Sequence, residues 1–389
     1  MDLSYTAAEE DFRRELTAWL SAHVPAEWRR PGFWASLSDD ESFRLRRDWE
    51  RDKALAGFAG IDWPVEYGGR GGTPGMKEIH DQEMVLAHAP SMVNPLGQAL
   101  LAPTVLAIGT EAQRKEILGP LLRNEVIWCQ LFSEPEAGSD LASLQTRAVR
   151  DGEEYVVNGQ KVWTTNAVYG DRIFAMVRTE PGSQRHRGIS MLLIDMHQPG
   201  VDARPLKQMS GASEFGEVFF TDARVPAADC LGAIGDGWRT AMMLLSFERG
   251  ASGTAYYTQF RKDFDEIVQV AKRLGRDRDP LIRDRLARVR TDLECLRLHA
   301  MHVLTQLEQG RDLGFEASMT KLIWSETFQD LWEVYDELLG PDATLLDVAG
   351  VDLRPMHLRA MWTRSVTIWG GSSQVQRNVT AERVLGLPR

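Results

Sequence analysis

The period of the apolar positions changes twice along the chain. Phe12, Leu16, Trp19 and Leu20 recur at helical spacing, and residues 82–86 and 100–122 read the same way between Pro and Gly breaks. The first third is therefore predicted to be helical. From Val126 the texture becomes short β-branched or aromatic runs separated by turn residues: VIWCQLFS, EYVVNGQKVWTT, RIFAMVRT, GISMLLID and EVFFTDARVP. These predict a sheet in the middle third. Asn158-Gly159, set between alternating runs, predicts a tight type I′ turn, because that turn needs positive φ at both positions. After Gly237 the helical period returns. Leu286, Val289, Leu293, Leu296, Ala300, Val303 and Leu307 predict one long bundle helix, and Leu322, Leu331, Tyr335 and Leu338 predict another that stops at Gly340-Pro341. A last helix is expected from about Gln374 to Val384. The order α, β, α gives three expected domains: 1–123 helical, 124–232 β, and 233–389 a helical bundle.

Composition narrows the chemistry. The 389 residues are 43% hydrophobic and 26% charged, an ordinary globular balance. Lys plus Arg number 45 against 56 Asp plus Glu, a net charge of −11, which disfavours attraction to nucleic-acid phosphates. Cys129, Cys230 and Cys295 are too dispersed for a disulfide framework or a CxxC metal clamp, and a reducing cytoplasm fits them. The acidic start MDLSYTAAEEDFRREL has no apolar signal core and no run of roughly 18 apolar residues follows, so neither secretion nor a membrane span is expected.

Common catalytic signatures are missing: there is no GxSxG, GK[ST], HExxH or GxGxxG after a strand. His299 and His302 sit three apart on a helix without further ligands nearby, so no metal site is expected. YGGRGGTPG is read as a surface loop that does not open a helix, and KRLGRDRDPLIRDR as a solvated link between helices. SEPEAGSD at 133–140 is a turn leaving a strand, and WTTN at 163–166 ends another. Together they offer what a flat redox cofactor needs, an aromatic face in Trp163 and hydroxyls in Ser133 and Thr165.

SEPEAGSD, NGQKVWTTN, MSGASEFGEVFF, SFERG and GGSSQVQRNVTAERVLGLPR stand in an order that resembles the acyl-CoA dehydrogenase family across nearly the whole chain. The resemblance implies an α+β fold with an N-terminal helical domain, a middle β-barrel domain and a C-terminal four-helix bundle. It also implies a non-covalent FAD, an acyl-CoA substrate, an electron-transfer flavoprotein or similar acceptor, and a dimer or tetramer. By position, Phe132, Ser133, Trp163 and Thr165 correspond to flavin contacts, and Ser139 and Arg249 to substrate contacts.

The dehydrogenation needs a carboxylate to take the α-proton. In IWGGSSQVQ, Gly370 stands where most members carry that Glu. A second solution in the family places it on the first long helix of the C-terminal domain, where Glu248 lies in SFERG after the apolar run AMMLLSF. The backbone N–H of Gly370 is then a candidate donor to the thioester carbonyl. Two further departures stand out: no Phe follows the Arg of RLGRDRDP at 273–280, where an Arg-x-x-Phe-Gly clamp is expected, and LLGPDA occupies 338–343 in place of a glycine-rich diphosphate segment. Both resemble the actinobacterial subfamily that includes sterol side-chain enzymes, in which two different subunits pair. That subfamily implies lipid or steroid side-chain degradation, a bulky or branched acyl group, and a hetero-tetramer with a paralogue. An oxygen-using flavoenzyme on the same fold and a non-catalytic partner subunit are the alternative readings.

Overall fold

The computed structural model describes residues 4–30, 32–248, 253–311 and 316–388. In chain order the helices are α1 Ala7–His23, α2 Asp39–Leu55, α3 Pro74–Leu86, α4 Ala102–Ile108 and α5 Glu111–Leu122. The strands follow: β1 Trp128–Leu131, β2 Arg147–Asp151, β3 Glu154–Thr165, β4 Arg172–Arg178, β5 Ile189–Asp195, β6 Val201–Leu206 and β7 Phe215–Pro226. Helices then return as α6 Gly237–Glu248, α7 Gly253–Arg273, α8 Pro280–Glu308 and α9 Glu316–Leu339. A two-residue hairpin, β8 Asp347–Val348 and β9 Val351–Asp352, precedes α10 Arg354–Thr363 and α11 Ser373–Val379. These form two compact units, one of Met1–Leu37, Gly72–Pro90 and Arg249–Arg389, the other of Ser38–Gly71 and Ser91–Glu248.

The first unit is a helical bundle. Its long helix α8 buries Val289, Leu293, Leu296, Ala300 and Val303, the stripe read from the sequence. α9 buries Leu331, Tyr335 and Leu338 and ends at Leu339, immediately before Gly340-Pro341. Asp279 caps α8 through the Leu281 amide, with Pro280 in the first turn where its missing N–H costs nothing. The core that α9 shares with α7 is aromatic: Phe260 of α7 stacks on Phe328 of α9 at 4.1 Å between ring centroids, and Trp332 and Tyr335 have no exposed surface.

The glycine-rich stretch departs from its expected form, since α3 opens at Pro74 directly behind it. The Thr73 hydroxyl accepts from the Met76 amide at 3.1 Å and donates to Glu9 Oε1 at 2.7 Å. A Cβ on Gly75 would fall 2.1 Å from that carboxylate oxygen. The positive end of the helix thus already meets an anion from α1, which leaves no phosphate cradle. His299 likewise meets Thr320 Oγ1 at 2.9 Å, and no metal-ligating cluster occurs among the described residues. Among those residues no helix is long and apolar enough to cross a membrane.

The second unit carries a seven-stranded half-barrel sheet with the path β1-β4-β2-β3-β7-β6, and β5 pairs with β4 off that path. β4 and β5 are apolar on both faces because both are covered. Ile173, Ala175 and Val177 join one cluster with Val157 and Val218, while Phe174 and Met176 join another with Leu101, Leu118 and Leu121 from the helices. All three cysteines are unbridged; burial pushes the Cys129 thiol up to about 12 and that of Cys230 to about 11, so neither is a nucleophile near neutral pH.

The expected turn at Asn158-Gly159 is absent. β3 runs through both residues, and the hairpin to β2 turns at Gly152-Glu153, where Asp151 pairs with Glu154 and Gly152 has φ +61°. The Asn-Gly pair instead forms a bulge against β7, between the pairs at Val157 and Gly159. Asn158 exchanges hydrogen bonds with Asp222, 2.9 Å from Nδ2 to Oδ1 and 3.1 Å from the Asp222 amide to Oδ1 of Asn158. Gly159, at φ +151°, lets β3 pass so close to the loop before β2 that a Cβ would lie 2.5 Å from Thr146 Oγ1 and 2.8 Å from its Cα. Gly159→Ala is expected to lower stability by about 1–3 kcal/mol. Gly152→Ala, with nothing within 4 Å of its Cβ, should cost less. Thermal melts of the two variants check the order.

Candidate functional site

Two segments of the sheet unit meet where β1 ends and β3 ends. Beyond β1 the chain continues as Phe132, Ser133 and Glu134, then reverses in a turn closed by reciprocal backbone hydrogen bonds of Glu134 and Ala137 at 3.0 and 3.1 Å. The end of β3 lies alongside, because the Val162 amide donates to the Ser133 carbonyl at 3.0 Å. Pairing of β3 with β7 is interrupted between Lys161 and Thr164, and in that bulge Trp163 has φ +62°, a left-handed backbone that an aromatic residue rarely adopts.

The bulge turns the Trp163 ring outward: it is 62% exposed and meets Phe215 edge-on at 6.2 Å. Thr164 is buried and Thr165 half-buried, so Trp163 and Thr165 flank an inward residue. Asn166, at φ +56°, closes the segment: its amide donates to the Glu214 carbonyl at 2.8 Å and its side chain to the Val93 carbonyl at 2.9 Å. The hydroxyls of Ser133 and Thr165 hold no hydrogen bond among the described residues, and the buried Thr164 hydroxyl has none either. A large exposed ring beside unspent hydroxyls is an arrangement for a flat ligand with polar edges.

Beneath lies a buried ion pair. Lys161 has no exposed surface, and its Nζ lies 2.8 Å from Glu134 Oε1 and donates to the Phe132 carbonyl at 3.0 Å. The Glu134 carboxylate also accepts from the amides of Gln145 at 2.6 Å and Thr146 at 3.0 Å. Burial pulls the Lys161 ammonium down to about 8 against the opposing pull of Glu134. For Glu134, burial acts upward, but the Lys161 charge and the donated hydrogen bonds outweigh it and hold the carboxyl below its ordinary range. The Phe132 ring itself faces the core, perpendicular to Phe174 at 6.2 Å.

Sequence profiles described as the acyl-CoA dehydrogenase N-terminal, middle and C-terminal domains match residues 6–125, 129–223 and 235–385. The chain is 41% identical to the acyl-CoA dehydrogenase IpdE1 of Mycobacterium tuberculosis over 385 residues, 98% of each chain. The chain belongs to the acyl-CoA dehydrogenase family. It is therefore an oxidoreductase acting on acyl-CoA. Among solved structures it resembles the ChsE4-ChsE5 complex from Mycobacterium tuberculosis, with a TM-score of 0.84 and 31% identity over the whole of both chains. It also resembles the Tcur3481-Tcur3483 steroid ACAD, with a TM-score of 0.87 and 29% identity, again over the whole of both chains. The actinobacterial subfamily suggested by the C-terminal motif is thus the one its relatives come from.

Acyl-CoA dehydrogenases are flavoproteins, and the residues present fit such a group: the outward Trp163 ring supplies a face, and the free hydroxyls of Ser133 and Thr165 supply edge partners. Of the residues expected from sequence, the structure brings Phe132, Ser133, Trp163 and Thr165 together. Ser139 is exposed in the loop that follows the 134–137 turn. Gly370 belongs to the bundle unit, where it has φ +64° and its carbonyl accepts from Gln376 Nε2 at 3.1 Å. The Glu248 backbone ends α6, while its side chain and the whole of Arg249 lie outside the described residues.

Sequence reasoning passed over Glu134 and Lys161, although both stand inside the quoted motifs. A lysine at an inward position of a strand was the available signal, because an ammonium is almost never fully buried without a partner. Trp163→Gly should leave the stability within about 1 kcal/mol of the parent, since relief of left-handed strain of about 1–2 kcal/mol offsets the lost ring contact. A buried structural tryptophan would instead cost about 3–5 kcal/mol. Thermal denaturation of the variant distinguishes a ring held for a ligand from a ring held for packing.

Proposed function

We propose that this acyl-CoA dehydrogenase binds FAD against Trp163, with Ser133 and Thr165 at the ring edge, and oxidises a bulky acyl-CoA between Cα and Cβ with Glu248 as the base. The observation that carries the flavin assignment is the strained, outward Trp163 beside two hydroxyls without partners. When bound, FAD supplies the acceptor for the β-hydrogen and its electron pair. The chain's own residues do the rest. Glu248 removes the α-proton, which in this sequence no carboxylate at 370 can do, because that position is Gly. The Gly370 amide donates to the thioester carbonyl and stabilises the negative charge that develops as the α-proton leaves. The Thr165 hydroxyl donates to the ring edge, Ser139 stands on the substrate side, and Arg249 contacts the substrate's CoA portion.

The bulky acyl group is supported by the missing side chain at 370, and by neighbours that include a protein described as a steroid ACAD. Pairing with a paralogue is supported by the neighbour solved as a complex of two named chains, and by the altered segments at 273–280 and 338–343. The acceptor of the electrons is an electron-transfer flavoprotein or a similar carrier, and the site of action is the cytoplasm.

Purification alone and with a co-expressed paralogue, followed by flavin-to-protein ratio, mass and anaerobic mixing with a panel of acyl-CoAs, tests this reading. Bleaching by bulky thioesters is expected. Colour without bleaching would turn the reading to an oxygen-using flavoenzyme, and no colour in either preparation to a non-catalytic subunit. Glu248→Gln should keep FAD and bind substrate while flavin reduction slows by about 10²–10⁴; a rate within about twofold of the parent removes Glu248 from the role. Thr165→Val, which deletes a donor at nearly constant volume, should shift the flavin absorption and slow reduction. An unchanged spectrum and rate would place that hydroxyl away from the ring.

A further inference from the structure

The ammonium of Lys161 touches the residue on each side of Ser133. It donates to the carbonyl of Phe132 at 3.0 Å and pairs with the carboxylate of Glu134 at 2.8 Å. Ser133 itself is tied by its carbonyl to the amide of Val162, which stands between Lys161 and Trp163. One buried charge therefore fixes both segments that carry the outward groups of the site. Through its other bonds the Glu134 carboxylate extends the tie to the amides of Gln145 and Thr146, where the chain enters β2. Neither charge is needed to fill the fold, since Lys161 and Glu134 are 0% and 7% exposed and a neutral pair of like volume would occupy the same space.

We infer that Lys161 and Glu134 are positioning residues for the flavin site: their ion pair sets the separation and orientation of Ser133 against the Trp163 bulge. This rests on the flavin reading proposed above. The bulge is the part most in need of such a tie, because the β3–β7 ladder lapses there and the Trp163 backbone sits outside its preferred conformations. The ladder to β7 pairs Lys161 with Val218 and resumes at Thr164 opposite Gly216, so Val162 and Trp163 between them have no partner on β7. On the β1 side it is held by Lys161 and the Val162 amide.

The test uses the holoprotein, co-expressed with its paralogue if FAD occupancy requires it, and reads melting temperature, FAD dissociation and the visible circular dichroism of bound FAD. Glu134→Gln and Lys161→Met each strand a buried partner and should lower the melting temperature. The double variant Glu134→Gln/Lys161→Met leaves no buried charge and should recover most of that loss. If the pair positions the site, the double variant still binds FAD about 10–100-fold more weakly than the parent, the range for groups that orient ligand-contacting residues, and its visible dichroism differs. If the pair only stabilises the fold, FAD affinity and dichroism return together with the melting temperature, and the inference is overturned. Should the double variant not fold, Glu134→Gln decides alone: parental affinity and dichroism in that variant overturn the inference, and altered values support it. A parent that takes up no FAD in either preparation would instead strike the flavin reading, and the positioning role with it.

Discussion

A lysine with no exposed surface is the constraint around which the sheet unit is arranged. Removing an ammonium from water costs several kcal/mol, and the cost is offset only if the charge is paired and hydrogen-bonded in good geometry. Lys161 finds a carboxylate and a carbonyl, both from the segment that leaves β1, and so forces that segment to run beside β3. Loss of either member of such a pair typically costs about 3–5 kcal/mol, because the survivor is left charged and buried. The bulge, the turn at 134–137 and the start of β2 all hang from this one cluster, so their positions are coupled rather than independent.

The bundle unit solves a similar problem in a similar way. Lys321 is buried, donates to the Val366 carbonyl, and lies over the rings of Trp324 and Trp369 at 4.2 and 4.3 Å. The chain from Val366 to Gly370 is held further by Gln329 Nε2, 3.0 Å from Thr367 Oγ1, by Trp369 Nε1 on Ser365 Oγ at 3.0 Å, and by Gln376 on the Gly370 carbonyl. In both units a segment that carries a candidate site residue has positive φ, at Trp163 and at Gly370, and a buried lysine bonded to a backbone carbonyl helps to fix it, Lys161 to Phe132 and Lys321 to Val366. Irregular backbone cannot satisfy its own carbonyls as a helix or ladder does, so side-chain donors of long reach take over.

What could be read from the sequence follows from how local each determinant is. The stripe Val289–Leu293–Leu296–Ala300–Val303 and the runs IFAMV and ISMLLI declare themselves through period and burial alone, and both became elements at the expected places. β2 and β6 escaped because Arg147–Asp151 is mostly exposed, Val201–Leu206 has no buried residue, and a Pro sits inside the latter. Of Asn158-Gly159 only the glycine has positive φ, and the tertiary requirement it serves is close approach to Thr146 rather than reversal of the chain. The residues of the outward site were legible as chemical types in two motifs. Their support was not, since Lys161 and Glu134 lie 27 positions apart and nothing in the spacing of either motif marks the other as its partner.

The cost of Trp163 explains why that support has to exist. A left-handed aromatic residue and a left-handed Asn166 three positions later store on the order of 1–3 kcal/mol each, and a free strand end would relax them. Relaxation is blocked at both ends. Lys161 and the Val162 amide fix the entry, while Asn166 fixes the exit through the Glu214 and Val93 carbonyls, with the Cys129 thiol on its own carbonyl at 3.6 Å. Asn94, next to Val93 and fully buried, ties that anchor to β1 through the Trp128 amide and the Val126 carbonyl. A segment strained between two such anchors has little freedom left to adjust to a ligand. Its ring and hydroxyls are therefore set in place by folding, so the ordering cost falls on the folding of this unit rather than on the binding step.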